Sequence, residues 1–493
     1  MASRAPEGNK KATDPSAPLR AGGSRIDTVL KERFGLDALY PLQQRIIDRL
    51  LGAGHALVVL PTGSGKSLCY QLPALALPGP GVTLVFSPLI ALMEDQVAAL
   101  KARGIAAEFI NSTLDRATRE KRYRALARGE YELIYATPER MHKTEFVDAL
   151  GAAPGGVKLL AVDEAHCIAK WGHDFRPAYQ QVGEFRRVLG SPVTVALTAT
   201  ATPAVRTDIR DTLGLSEDDM PLFATGIDRP NLSFEVREIW KEDEKVQVIT
   251  EVAAAAGGTG IVYFSLIKTL EQMALDLRRV HGAGAVAIYH GRLSPAEKKR
   301  VYDRFTSSRP ADRLMLLATN AFGMGVDKSD IRYIVHAQIP GSLEAYYQEV
   351  GRAGRDGKPS RCVLLYDKAD LAIQQDFIGW MNPSVDLLME ASRAFANNPR
   401  LDLGVDELRE QITGRSRRDR RAEYCLISLE KLGVIEPSVE PDRYRFVRPL
   451  ADGEVPAEEV EAKRKRDLHR LLDMLKLTQC EDIRKFILDY FGL

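Results

Sequence analysis

Short apolar runs alternate with amphipathic helical segments along this chain, and the alternation occurs twice. The first series lies at residues 55–61, 83–89, 133–138, 159–165 and 193–200. The second series lies at residues 260–265, 285–290, 313–319, 331–336 and 361–366. Near-continuous apolar strands joined by helices are typical of a parallel sheet that is covered on both faces. The sequence therefore predicts an α/β fold with two such domains in tandem, joined by a polar linker around 214–230.

The pattern changes at both ends of this tandem. Residues 1–24 are rich in Pro, Gly, Ala and charge, which predicts a disordered tail. The two α/β domains are assigned to 25–226 and 227–382. A small helical C-terminal region follows: residues 383–450 have the pattern of three helices and a hairpin, which favours a winged helix, with a helical interaction domain as the alternative. The last segment, 451–493, is predicted to end in a helix.

Composition excludes several classes of protein. Of the 493 residues, 45% are hydrophobic and 27% are charged, as in soluble globular proteins. No apolar run approaches the roughly 20 residues that span a bilayer, and the N-terminus lacks the apolar segment of a signal peptide. The five cysteines are scattered, so we predict neither a disulfide framework nor a zinc site. We expect a monomeric cytoplasmic protein, nucleoid-associated if bacterial, that does not bind membranes.

A glycine-rich loop directly follows the first apolar strand and precedes a helical pattern. Glycines at 63 and 65 allow backbone N–H groups to turn toward phosphate oxygens, and the helix start adds its positive dipole end. Lys66 would reach the β- and γ-phosphates, and Ser67 would ligate Mg²⁺. The first glycine of the general phosphate-loop pattern is replaced by Leu60. The predicted ATP-binding loop comprises Thr62, Gly63, Ser64, Gly65, Lys66 and Ser67.

Two carboxylates close the fourth apolar run. Asp163 and Glu164 fall at the carboxyl edge of the predicted sheet, where ligands collect in parallel α/β folds. One carboxylate can hold Mg²⁺ and the other can polarise the attacking water. His166 lies two residues further on and could couple this site to neighbouring segments, as could Thr198 and Thr200 after the next strand.

The second α/β domain carries cations on a short, glycine-broken stretch. Gln348, Arg352 and Arg355 lie within YYQEVGRAGRDG, and the two arginines are three residues apart on one helix face. Two cations delivered to a γ-phosphate would stabilise the charge of the transition state. Upstream, the stretch 318–328 has two glycines for tight backbone approach, and Asp327 could hold an arginine in position. We therefore expect nucleotide hydrolysis that uses residues of both domains.

Aromatic and cationic residues follow the carboxylate pair within one loop. Trp171 and Phe175 can stack on bases, Arg176 can contact a base or a phosphate, and His173 is a candidate for backbone contact. Because this loop begins directly after the two carboxylates, a small structural change at the nucleotide would be enough to move the loop. Packing of Trp171 in the core is the alternative reading.

These motifs together resemble those of the RecQ family of DNA helicases, superfamily 2 enzymes with a DEAH-type motif. The matching segments lie between residues 34 and about 370 and include PTGSGKSLCYQLPAL, VDEAHCIAKWGHDFRPAY, ALTATA, ATNAFGMGVDK and YYQEVGRAGRDG. The resemblance implies two RecA-like motor domains, ATP and Mg²⁺ as cofactors, and single-stranded DNA and duplex junctions as partners. It implies 3′→5′ translocation and unwinding of DNA in repair or recombination. An RNA-remodelling helicase and an ATP-switched DNA-binding adaptor are the alternatives.

The resemblance also assigns residue roles and exposes departures. Lys66 and Ser67 match the phosphate and Mg²⁺ ligands, and the arginine stretch matches the family's interdomain ATPase motif. Gln43 matches the adenine-reading glutamine, but Tyr40 replaces the usual arginine and could stack on adenine instead. Cys480 matches the first ligand of the family's four-cysteine zinc module, whose other ligands are absent. We therefore expect no zinc, and a terminal helix held by Ile483, Phe486, Ile487 and Tyr490.

Overall fold

The chain divides into two compact units. The computed structural model describes residues 25–61, 63–169, 177–224, 229–323, 328–398, 402–414, 419–438, 440 and 443–492. One unit contains the described residues up to Pro230 together with 488–492. The other contains Asn231–Gly323 and Lys328–Ile487.

The first unit is built on a parallel sheet of seven strands within its described residues. In chain order the strands are β1 (Ala56–Val59), β2 (Val82–Phe86), β3 (Ala107–Ile110), β4 (Leu133–Ala136), β5 (Val157–Val162), β6 (Val193–Thr198) and β7 (Leu222–Ala224). Their order across the sheet is β3-β4-β2-β5-β6-β1-β7, and every pairing is parallel. Strands β1, β2, β4 and β5 are almost completely buried, as expected for a sheet with helices on both faces.

Helices connect these strands. They are α1 (Arg25–Val29), α2 (Pro41–Leu51), α3 (Leu68–Ala76), α4 (Ile90–Ala102), α5 (Arg116–Ala127), α6 (Thr144–Ala152), α7 (Val182–Val188) and α8 (Pro203–Leu213). Local sequence sets their ends. The Asp115 side chain accepts the Thr118 N–H and begins α5, and Thr202 with Pro203 begins α8 in the same way. Gly214, at φ +65°, ends α8 in the left-handed conformation that favours glycine.

The second unit is built on a second parallel sheet, with six strands among its described residues. They are β8 (Leu232–Glu238), β9 (Thr259–Tyr263), β10 (Val286–Tyr289), β11 (Met315–Ala318), β12 (Ile331–His336) and β13 (Ser360–Tyr366). The order across the sheet is β10-β11-β9-β12-β13-β8. The helices are α9 (Glu242–Ala256), α10 (Ile267–His281), α11 (Pro295–Ser307), α12 (Leu343–Val350) and α13 (Asp370–Met381).

The two sheets confirm the predicted pair of tandem RecA-like domains, with three strands that the prediction missed. Strands β3 and β8 were not predicted, and β7 falls inside the stretch predicted as a linker. Because β7 pairs with β1, with Val58 opposite Phe223, residues 222–224 belong to the first sheet. The linker prediction is wrong for these residues.

A smaller antiparallel sheet and three helices follow the second parallel sheet. The helices are α14 (Val385–Asn397), α15 (Val405–Ile412) and α16 (Arg421–Lys431), and the strands are β14 (Asp402–Gly404), β15 (Ile435–Pro437) and β16 (Arg443–Phe446). The strand order is β14-β16-β15. Helices and sheet share one apolar core that includes Leu388, Phe395, Leu408 and Leu429. The three helices and the β15-β16 hairpin follow the predicted pattern and strand β14 adds to it, while the assignment as a winged helix stays a prediction.

Two helices end the described chain, α17 (Ala457–Gln479) and α18 (Ile483–Phe491). Of the four residues predicted to hold the terminal helix, Ile487 is buried and the other three are half-buried. Phe491, which was not predicted, is also buried. Within the described residues, no helix combines the length and apolar character needed to cross a bilayer.

Candidate active site

The glycine-rich loop lies between β1 and α3, at the carboxyl edge of the first sheet. Gly63 and Gly65 adopt φ of +83° and +77°, values that strain any residue with a Cβ atom. The Lys66 Nζ donates to the Leu60 carbonyl at 3.2 Å, and Leu60 N–H in turn donates to the Thr198 carbonyl at 3.0 Å. The loop therefore begins on a fixed strand end and places the lysine beside it.

Gln43 of helix α2 supports this loop from behind. Its Oε1 accepts the Tyr40 N–H at 3.0 Å, and its Nε2 donates to the Ser64 carbonyl at 3.1 Å. A Cβ atom on Gly65 would lie 2.6 Å from that Nε2, so the close approach requires glycine. Gln43 is buried, whereas the Tyr40 side chain is 64% exposed. Both ends of the Gln43 amide are thus engaged with the protein, and Tyr40 is the accessible residue of the pair.

Asp163 and Glu164 directly follow β5 at the same edge of the sheet. The Asp163 N–H donates to the Phe86 carbonyl on β2 at 2.8 Å, and the Asp163 Oδ1 accepts the Glu164 N–H at 3.0 Å. Glu164 adopts φ +48° and ψ +46°. A left-handed conformation costs a non-glycine residue about 1–3 kcal/mol, and such residues cluster at functional sites. The structure thus holds the glutamate in a strained conformation directly after a buried strand.

His166 connects Glu164 to the end of β6. Its Nδ1 lies 2.9 Å from Thr198 Oγ1 and 3.4 Å from Glu164 Oε2. The Thr198 hydroxyl donates to the Thr200 carbonyl at 3.0 Å. In the sheet order, β6 lies between β5 and β1, so these residues lie between the carboxylate pair and the glycine-rich loop. The predicted coupling residues are therefore in direct contact with one another.

The charges of this edge fit a divalent cation. Burial and the Glu164 carboxylate raise the pKa of Asp163 to about 7, although the Lys66 ammonium acts in the opposite direction. Glu164 Oε2 is buried and accepts no hydrogen bond from the described part of the chain. Buried carboxylate oxygens of this kind require a positive partner or water. Asp163 and Ser67 therefore fit the role of Mg²⁺ ligands, Asp163 through its charge and Ser67 through its hydroxyl at the loop's end.

The two arginines of the second unit differ in burial. Arg352 is only 2% exposed. Burial raises the pKa of Tyr263, at the end of β9, and the Arg352 guanidinium near its hydroxyl acts in the opposite direction. Arg355 and Gln348 are half-buried. Of the two arginines, Arg355 is the more accessible to a ligand, whereas Arg352 is buried among the residues that hold the loop in place.

An aromatic and ionic cluster fixes helix α12 and the loop that follows it. The Tyr263 ring stacks on His336 with centroids 5.4 Å apart, and His336 Nε2 lies 2.7 Å from Glu349 Oε2. Both His336 and Glu349 are buried. Sequence reasoning missed these three residues because none carries a signal of its own: Tyr263 and His336 lie in predicted apolar strands, and Glu349 directly follows Gln348.

Gly354 forms the turn between the two arginines of the second unit. It adopts φ +54°, and its carbonyl accepts the Asn231 Nδ2 at 2.8 Å. The same Nδ2 donates to the Lys358 carbonyl at 2.9 Å. A Cβ atom here would lie 2.5 Å from that nitrogen. Asn231 therefore sets the shape of the loop that carries Arg352 and Arg355.

Several predicted site residues lie outside the described residues. They are Thr62, Trp171, His173, Phe175, Arg176, Gly325 and Asp327. Within the described chain, no cluster of three or more His, Cys, Asp or Glu side chains could hold a metal ion by itself.

Comparison with known proteins agrees with this geometry. Residues 40–208 match the DEAD/DEAH box helicase family, and residues 244–357 match the helicase conserved C-terminal domain. The chain is 34% identical over 472 residues to the probable ATP-dependent DNA helicase RecS of Bacillus subtilis (strain 168), covering 95% of this chain and 88% of that protein. It is 42% identical over 357 residues to the ATP-dependent DNA helicase RecQ of the same organism, covering 72% of this chain. The chain belongs to the RecQ family of superfamily 2 helicases.

This RecQ-family chain is shorter than several of its relatives. It spans 58% of the B. subtilis RecQ and 55% of the RecQ of Haemophilus influenzae, to which it is 40% identical over 351 residues. Among solved structures it resembles the DUF1998 helicase MrfA bound to DNA, with a TM-score of 0.59 at 19% identity, covering 90% of this chain and 65% of MrfA. At that identity the similarity is one of fold.

Proposed function

We propose that this protein is an ATP-dependent DNA helicase that couples ATP hydrolysis to 3′→5′ translocation and duplex unwinding, in DNA repair or recombination. The observation that carries the proposal is the edge of the first sheet, where the glycine-rich loop and the strained Glu164 flank the buried Thr198. The relatives that bear the name ATP-dependent DNA helicase support DNA as the substrate.

In the proposed reaction, residues of the first unit bind the nucleotide and orient the attacking water. Lys66 exchanges its bond to the Leu60 carbonyl for phosphate oxygens. Mg²⁺, when bound by Ser67 and Asp163, would neutralise phosphate charge. Glu164 polarises the water, and its fixed backbone conformation limits the orientations of the carboxylate. Tyr40 is proposed to stack on the base.

Residues of the second unit are proposed to stabilise the transition state. Arg355 supplies a cation to the γ-phosphoryl oxygens, where charge accumulates. Arg352 is proposed to position it, because its buried guanidinium lies near the Tyr263 hydroxyl and the residue begins the same short loop. Gln348, half-buried on α12, is proposed to contact the nucleotide or the water.

Coupling to DNA is proposed to run from Glu164 through His166 to Thr198 and Thr200. These residues form a continuous set of contacts at 2.9–3.4 Å. The segment after Ile168 follows His166 closely in the chain, so a displacement of Glu164 on hydrolysis is proposed to reach that segment through His166. The proposed DNA contacts of that segment are Trp171, His173, Phe175 and Arg176.

A strand-displacement assay tests this proposal. We expect ATP-dependent unwinding of duplexes with a 3′ single-stranded tail and of forked duplexes, and little unwinding with a 5′ tail. Lys66→Ala, which removes the phosphate-binding charge, is the matched inactive control. Unwinding from the 5′ tail alone would contradict the polarity. Stronger ATPase stimulation by single-stranded RNA than by DNA would favour an RNA-remodelling enzyme, and DNA binding without hydrolysis would favour an ATP-switched adaptor.

A further inference from the structure

Tyr263 ends strand β9 at the carboxyl edge of the second sheet and is enclosed by both neighbouring strands. In the sheet it lies opposite Ala318 of β11 and opposite His336 of β12. The residue is 3% exposed, and its ring stacks on that of His336 with centroids 5.4 Å apart. The packing therefore fixes the ring and the direction in which its hydroxyl points.

The Tyr263 hydroxyl is bonded to the segment that follows β11, residues 319–323. It donates to the Phe322 carbonyl at 3.1 Å. The Phe322 N–H donates to the Thr319 carbonyl at 2.9 Å. The buried Phe322 ring packs against Tyr289 and Phe305, with centroids 4.8 and 5.4 Å away. The carbonyl that accepts the Tyr263 hydroxyl thus belongs to a segment anchored in the core.

The guanidinium of Arg352 lies against the same segment. A Cβ atom on Gly323, the residue after Phe322, would be 3.9 Å from the Arg352 Nη2. The Arg352 Nε is buried and has no hydrogen-bond partner in the described part of the chain. A buried guanidinium requires acceptors nearby. The Tyr263 oxygen donates its one proton to Phe322 and keeps its lone pairs for the neighbouring cation.

The backbone of Arg352 is held by the same cluster. Its N–H donates to the Glu349 carbonyl at 3.2 Å. The Glu349 carboxylate lies 2.7 Å from the His336 ring on which Tyr263 stacks. The backbone and the side chain of Arg352 are therefore both tied to the Tyr263–His336 pair, and Arg355 follows three residues later in the same loop.

We propose that Tyr263 is a positioning residue for ATP hydrolysis, whose hydroxyl joins the 319–323 segment to Arg352 and so fixes the loop from which Arg355 acts. The inference rests on the role proposed above for Arg355. Because Tyr263 is buried, it acts on the reaction through Arg352 and not by contact with the nucleotide. Without the hydroxyl, the Phe322 carbonyl and the Arg352 guanidinium lose their shared partner. A shift of about 1 Å in the loop can cost about a hundredfold in rate.

Tyr346 provides a matched control at the same histidine. Its ring centroid lies 5.0 Å from that of His336, and the residue is as deeply buried as Tyr263. The Tyr346 hydroxyl, however, has no hydrogen-bond partner among the described residues. Tyr346→Phe and Tyr263→Phe therefore remove the same buried group beside His336, and only Tyr263→Phe removes the connection to Phe322 and Arg352.

The test is steady-state ATP hydrolysis at saturating single-stranded DNA, with urea unfolding to verify that each variant is folded. We expect Tyr263→Phe to lower kcat by about 10–100-fold, with the KM for ATP within about twofold of the wild type. Tyr346→Phe should keep both constants within about twofold, since removing an unpaired buried hydroxyl costs little. A wild-type kcat in Tyr263→Phe, an equal loss in both variants, or a raised KM at unchanged kcat would each overturn the proposal.

A double-mutant cycle tests whether Tyr263 acts through Arg352. In the Arg352→Lys background, Tyr263→Phe should lower kcat by less than about threefold. The full loss in that background would refute the coupling. Arg355→Ala separates this inference from the role proposed for Arg355. Lost turnover in Arg355→Ala with normal turnover in Tyr263→Phe overturns the inference alone, whereas normal turnover in Arg355→Ala overturns that role and the inference with it.

Discussion

Replacing Gly354 by alanine should destabilise the loop that carries the two arginines of the second unit. The left-handed φ of +54° costs an alanine about 1–2 kcal/mol. The new Cβ atom would lie 2.5 Å from Asn231 Nδ2 and 2.8 Å from the Lys358 carbonyl oxygen, so Asn231 must move and lose its two hydrogen bonds. At about 1 kcal/mol for each bond, the free energy of unfolding should fall by roughly 3–4 kcal/mol in total.

Gly357 supplies the matched control in the same loop. It adopts φ +79°, and a Cβ atom there would meet nothing within 4 Å. Gly357→Ala should therefore cost only the backbone strain of about 1–2 kcal/mol. The difference between the two variants, about 2 kcal/mol, can be measured by urea unfolding. We also expect Gly354→Ala to lower ATP turnover more than Gly357→Ala does. Equal stability of the two variants would refute the role assigned to Asn231.

Two predictions concern DNA. Replacing Trp171 and Phe175 by alanine should leave basal ATP hydrolysis largely intact and abolish its stimulation by single-stranded DNA. Each lost base stack is worth about 1–3 kcal/mol of binding free energy. Normal stimulation of the variant by DNA would mean that these aromatic residues pack in the protein instead. Residues 414–421, GRSRRDRR, form a basic run with five arginines. Replacing its Arg417, Arg418 and Arg420 by alanine should lower duplex affinity and reduce the salt dependence of log K by about 0.9 for each lost phosphate contact. An unchanged salt slope in that variant would mean that this basic run is a solvated loop.

The strands that sequence reasoning found and missed differ in length and burial. The predicted strands are runs of buried apolar residues. They can be recognised in the sequence because both of their faces are covered by protein, so nearly every residue in them is apolar. Strand β7 has only three residues and sits in a polar stretch, so its pairing with β1 left no periodic signal. Strand β8 alternates polar and apolar residues at the edge of its sheet and carries half-buried side chains. Such edge strands depend on a partner that lies far away in the chain.

The candidate site was predicted from motifs, whereas the burial and contacts of its residues are visible only in the structure. Lys66, Asp163 and Glu164 were predicted because strand, loop and helix follow each other in the sequence. The difference between Arg352 and Arg355 was not visible, because both are arginines in one short stretch. Arg352 is buried, and it lies near the hydroxyl of Tyr263, a residue about ninety positions earlier in the chain. Contacts over such sequence distances are set by topology and leave no local pattern.

The central proposal is that Arg355 is required for ATP hydrolysis but not for ATP binding. ATP turnover by Arg355→Ala at saturating ATP and single-stranded DNA, measured together with the binding of a fluorescent ATP analogue, tests it most directly. Arg361→Ala is the control, because that arginine lies on β13 and pairs with Glu235 at 2.8 Å. We predict that Arg355→Ala binds the nucleotide within a few-fold of the wild type and loses about 10³–10⁵ in turnover. Turnover near the wild-type rate in that variant would contradict the claim.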